Sequence, residues 1–153
     1  MRAGAVGRLM VRDLDRLHSE IEAYPSEGSI WATGGEIANS GGTLALHLAG
    51  NLRHFVGAIL GGDGYVRDRD YEFSASGVPR AEVLDKITTA RAVVDRVVQA
   101  LDQEKLDSAW VGPSPLGEGA TNYEMLLHLS GHLMYHTGQV NYHRRILGAS
   151  PGA

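Results

Sequence analysis

The segment His128-Leu-Ser-Gly-His132-Leu-Met-Tyr-His136-Thr-Gly-Gln139 carries three imidazoles, His128, His132 and His136, each four residues after the last. On an α-helix a step of four overshoots a full turn by about 40°, so these side chains share a face one turn apart. Two neutral imidazoles at i and i+4 converge on one cation in helical His-x-x-x-His zinc sites. His132 and His136 are therefore read as two ligands of a divalent metal, with a third from far upstream. The competing reading is that all three are ordinary polar or core histidines of an amphipathic helix.

The chain lacks cysteine. Disulfides, thiolate metal sites and a protein-borne thiol nucleophile are thereby excluded, and any metal must be held by nitrogen and oxygen. The 153 residues suit one domain, read as 1–153, with a full core. A hydrophobic content of 43%, a charged content of 21% and a net charge of −4 describe an ordinary globular protein. No Lys/Arg cluster marks a nucleic-acid partner. The first residues have charges every few positions and no apolar secretory core, and no stretch reaches the roughly 20 apolar residues of a membrane span. A cytoplasmic protein without a membrane partner is expected.

Four long amphipathic helices must position the histidines. The first is expected over about Val6 to Tyr24, where Leu9, Met10, Leu14, Leu17 and Ile21 recur at helical spacing before Pro25. A Ser/Gly-rich linker follows, with Ile30, Trp31 and Ile37 as anchors and Ser40 as the next cap. The second covers about Gly42 to Leu60, with His47 in its apolar stripe and His54 two turns on near the same face. A glycine cluster ends it. The charges Arg67, Asp68, Arg69 and Asp70 then read as a solvated loop whose ion pairs contribute little.

The third helix begins near Pro79 and runs to about Gln103, with the cleanest apolar period in the chain from Val83 to Leu101. A second long connection has Trp110 and Val111 as anchors and room for a short extended piece. Thr121-x-x-Glu124 reads as a capping box for a fourth helix that ends near Leu147, with Gly148 as its C′ residue and Pro151 beyond. The expectation is an all-α four-helix bundle whose connections are long enough for a crossover.

Bundle metal sites are built from side chains on facing helices, which gives His47 a natural place opposite His132 and His136. Three imidazoles on one side of the ion leave a position open, as in catalytic rather than structural sites. Spacing alone does not choose among five histidines: His128 with His132 is as good a pair, and His54 can replace His47. His18 and His143 are read as surface residues. Tyr135 is assigned to packing or surface. Gln139, Asn51 and Arg53 are candidates for pocket roles.

The runs Leu46-His-Leu-Ala-Gly-Asn-Leu-Arg53 and His132-Leu-Met-Tyr-His136-Thr-Gly-Gln139 resemble the DinB/YfiT-like superfamily of metal-binding four-helix proteins. The Arg67-Asp-Arg-Asp-Tyr-Glu-Phe73 run resembles one branch of it, and the likeness extends in order over essentially the whole chain. The resemblance implies His47, His132 and His136 as ligands of zinc, nickel or iron. Asn51, Arg53, His54, His128 and Gln139 then become pocket and substrate-binding candidates. It further implies one unusual crossover, a homodimer and a small-molecule substrate. Some relatives are S-transferases that activate a low-molecular-weight thiol such as bacillithiol or mycothiol; others are isomerases or hydrolases. Metal-dependent transferase or hydrolase chemistry is the expectation. A non-catalytic stress-response or interaction dimer with a structural or vestigial metal is the alternative.

Overall fold

In the computed structural model, which describes residues 2–148, the ordered elements are helices; the extended backbone among the described residues amounts to one isolated antiparallel bridge between Ala109 and Thr121. The helices are α1 (Arg2–Glu22), α2 (Glu27–Ile30), α3 (Gly41–Leu52), α4 (Arg69–Ser74), α5 (Arg80–Ala100), α6 (Gln103–Asp107) and α7 (Asn122–Gly148). The chain is all-α. Pro151, expected beyond the last helix, lies outside the described residues.

The long helices α1, α3, α5 and α7 make the core. Helices α1 and α3 each pack against both α5 and α7, α4 lies on α3, and α6 lies on α7. Met10, Leu14, Leu17 and Ile21 of α1 are fully buried, whereas Leu9, expected beside them, is turned to solvent. Val83, Ile87, Ala90, Val94 and Val98 form the matching stripe of α5. Every residue of α3 is buried, and its small members Gly41, Gly42, Ala45, Ala49 and Gly50 let neighbours come close on all sides.

Local chemistry sets the ends of these elements. Ser40 Oγ accepts from Thr43 N at 3.1 Å and starts α3. At the head of α7, Glu124 N donates to Thr121 Oγ1 at 3.2 Å and Thr121 N donates to Glu124 Oε2 at 2.8 Å, completing the expected capping box. The same two groups hold the Glu124 carboxyl below its usual range. Helix α3 does not continue to Leu60 as an α-helix. Arg53–Leu60 is a π-helical segment, a wider winding that displaces the side chains after Leu52 from an α-helical register.

Both linkers are anchored differently from the sequence expectation. Ile30 is buried and Trp31 packs against the core, its indole N–H donating to Val78 O at 3.1 Å, but Ile37 stays partly exposed. Trp110 packs against the core and donates to Pro113 O at 3.0 Å, while Val111 points to solvent. An isolated apolar residue in a Gly/Ser-rich stretch has no periodicity to place it. His143, expected at the surface, is buried at 6% exposure. Its Nε2–H donates to Ala32 O at 2.8 Å, so its Nδ1 is the acceptor for the Tyr24 hydroxyl at 2.7 Å. His18 is partly buried, 3.4 Å from Glu22.

Candidate metal centre

Helices α3 and α7 bring His47, His132 and His136 together, one ring nitrogen of each lying within 4.8 Å of the others. The rings stand nearly perpendicular: His132 and His136 meet at 88°, His47 and His136 at 89°, His47 and His132 at 83°. His47 Nε2 and His132 Nε2 are 3.3 Å apart. Two imidazole nitrogens each about 2.0–2.1 Å from one tetrahedral cation stand about 3.3–3.4 Å apart, so this spacing fits a shared ion.

Hydrogen bonds on the far side of two rings fix which nitrogen faces inward. His136 Nδ1–H donates to Gln139 Oε1 at 2.6 Å, leaving Nε2 free. His47 Nδ1 lies 3.2 Å from Glu72 Oε2, and its Nε2 faces the centre. Such outward partners orient metal-binding histidines generally. His132 has none, since its Nδ1 is buried without a hydrogen bond.

Glu72 and its partner Arg67 correct the reading of residues 67–70 as a merely solvated loop. Glu72 is buried to 3% exposure on α4, and Arg67 forks onto it through Nε to Oε1 at 2.7 Å and Nη2 to Oε2 at 2.6 Å. Asp68, Arg69 and Asp70 are the solvated members of the run. Arg67 Nη2 also lies 3.2 Å from His47 Nδ1; a guanidinium can only donate, so Arg67 and Glu72 compete for that ring nitrogen. The Phe73 ring packs on His47 at 4.9 Å. Phe73 marks the tip of an amphipathic turn, but nothing in the charge alternation tells Glu72 from its neighbours.

The electrostatics favour neutral His132 and His136. Burial, then the charges of His136, His47, His128 and Arg67, push His132 down to about 4. Burial also lowers His136, opposed by the Gln139 hydrogen bond and assisted by His47. For Glu72, burial alone raises the carboxyl, but the hydrogen bonds and charges of Arg67 and His47 outweigh it and hold it ionised. A cluster of neutral nitrogen donors needs no proton release to take up a cation at neutral pH.

The remaining candidates surround the centre unequally. Asn51, one turn beyond His47, is buried with Oδ1 unpartnered. His54 is half-buried in the π-helical segment with Nδ1 unpartnered; burial and the Arg67 charge lower it, against the pull of Glu72. His128 stacks on His132, ring centres 6.2 Å apart and 20° from parallel. Arg53 lies over the Tyr65 ring at 4.4 Å and lines a cavity of about 330 Å³ with Asp68, Lys86 and Thr89, to which none of the three clustered histidines contributes. A different hollow, of about 510 Å³, opens beside His136 and Gln139, walled by Ile37, Leu44, Tyr135, Tyr142 and Ile146. Tyr135 is 65% exposed on that rim.

The sequence model of the DinB superfamily matches residues 10–140, which takes in all three histidines and most of every long helix. The search of curated proteins returns no match.

Proposed function

The chain belongs to the DinB superfamily, and from that premise and the converging imidazoles we propose a divalent-metal enzyme with a three-histidine centre on a four-helix bundle. The observation that carries this reading is the 3.3 Å approach of His47 Nε2 to His132 Nε2, with His136 alongside. These three residues would hold the cation, His47 and His132 presenting Nε2 to the centre and His136 leaving Nε2 free by the bond at its Nδ1. The donor set suits zinc, nickel or iron. Such a cation supplies Lewis acidity, lowering the pKa of a bound water or substrate thiol.

The protein's own residues do the rest. Gln139 keeps the His136 ring turned inward, and the Arg67–Glu72 pair does the same for His47. The hollow beside His136 admits substrate. Its apolar and aromatic walls, with Glu36 as the charged residue lining it, suit an uncharged or cationic electrophile with an apolar body. Asn51 Oδ1, one turn beyond His47, offers an unpartnered hydrogen-bond acceptor, and His128 stacks on His132. Arg53 serves substrate only if a long molecule extends to the cavity beside Tyr65. The reaction class proposed is thiol S-transfer or hydrolysis, with a low-molecular-weight thiol as the first co-substrate to test.

Metal-loaded protein should conjugate such a thiol to an electrophile, and His132→Ala should bring the rate to background. A His132→Ala rate equal to wild type would refute the enzyme reading. One observation favours a second reading, a non-catalytic homodimer with a structural metal: Leu127, Met134, Tyr135, Tyr142 and Ile146 are all exposed along α7. Light scattering on the metal-free and metal-loaded protein tests that dimer.

A further inference from the structure

We propose that Glu72, seated in a slot that exists because residue 50 is glycine, is the positioning residue that fixes His47 as its Nδ1–H tautomer. By doing so it sets how tightly the three-histidine group holds a cation. The effect on affinity rests on the metal-centre reading above; the effect on the tautomer does not.

The carboxylate is placed by an element outside the four long helices. Helix α4 has six residues, too few to persist alone, and it lies against α3. Asp68 Oδ1 accepts from Tyr71 N at 2.9 Å and starts it, so that Glu72 falls on its buried side. Arg67 satisfies both oxygens in a planar fork. The pair is then neutral as a whole. A neutral imidazole beside an ionised carboxylate donates to it, which puts the single ring proton on Nδ1. The lone pair on Nε2 is thereby aimed at His132 Nε2, 3.3 Å away.

Gly50 makes this geometry possible. It lies in the interior of α3, where glycine costs roughly 1 kcal/mol relative to alanine and no turn requires it. A Cβ at position 50 would collide with Glu72 Oε1 and stand 2.8 Å from Cδ. A side chain there must displace the carboxylate from the position in which it meets His47 Nδ1. Residue 50 and residue 72 therefore act through one contact.

The test is nitrogen-15 NMR of the imidazoles in metal-free protein at about pH 8.5, paired with metal affinity from competition against a chromophoric chelator. Wild-type His47 is expected as the Nδ1–H tautomer. Gly50→Ala and Glu72→Gln should each shift His47 toward a mixture and weaken zinc binding by about 10- to 100-fold, as loss of an outward partner to a ligating histidine does. The double variant should be no weaker than the weaker single one. Gly28→Ala, with open space around it, should change neither reading. A wild-type His47 protonated on Nε2, or a folded Glu72→Gln protein with wild-type tautomer and affinity, overturns the proposal. So does full additivity of the two substitutions. If Gly50→Ala does not fold, Glu72→Gln alone decides. If wild type binds no zinc while the tautomer responds as described, the metal-centre reading fails and the positioning role of Glu72 stands.

Discussion

At the scale of single residues, the proposed metal centre depends on which imidazole nitrogen is free. His132 is the clearest case, because burial and neighbouring positive charge depress it to about 4. Its ordinary value is about 6.5, so between those limits the unfolded chain binds a proton that the folded chain refuses. Stability of the metal-free protein should be full above about pH 6.5 and should fall as the pH drops toward 4, levelling off below. Thermal unfolding across that range checks this, and His132→Gln should flatten the slope. Spacing made His128, His132 and His136 legible as one helix face, because four residues nearly close one turn, and the family resemblance rather than the spacing singled out His132 and His136. Spacing did not reveal Glu72, which reads as one more charge in an alternating run until α4 turns it under Arg67. His143 was recoverable: it continues the buried series Leu129, Leu133, Val140 on α7.

Among the elements, the long helices were readable and the short ones were not. Helices α1, α3, α5 and α7 each span 12 residues or more, whereas α2, α4 and α6 span four to six. Their only sequence signal is the cap. Ser26 Oγ accepts from Ser29 N at 3.2 Å, Asp68 Oδ1 from Tyr71 N at 2.9 Å, and Asp102 Oδ1 from Lys105 N at 2.7 Å. The π-helical winding after Leu52 was equally invisible, since its residues keep an apolar pattern that suits an α-helix. Caps can be weighed by mutation. Ser40→Ala removes the acceptor for Thr43 N at the start of the helix that bears His47, and should cost about 1 kcal/mol in urea denaturation. Because Ser40 is buried, a loss well under half that would mean the bond contributes nothing net.

Taken whole, the molecule is held by contacts that join distant parts of the chain to the bundle. Tyr24, past the end of α1, donates to His143 near the end of α7, and a Cβ on Gly41 would collide with that hydroxyl. The Tyr24 hydroxyl is kept protonated by burial, with Glu20 adding to the effect and Arg144 opposing it. Tyr24→Phe leaves His143 Nδ1 buried without a donor and should destabilise the protein by about 1–3 kcal/mol, read as a lower urea midpoint at unchanged slope. No described helix is long and apolar enough to cross a membrane. A cation bound only by the folded state must also stabilise it, by about 2.7 kcal/mol at a hundredfold excess over Kd. X-ray absorption on tag-free protein carrying one equivalent of zinc reads the ligand set itself. Three imidazole nitrogens at about 2.0–2.1 Å are expected, with a further light-atom ligand from solvent. Fewer than three imidazoles, or a spectrum unchanged in His47→Ala, would contradict the three-histidine centre.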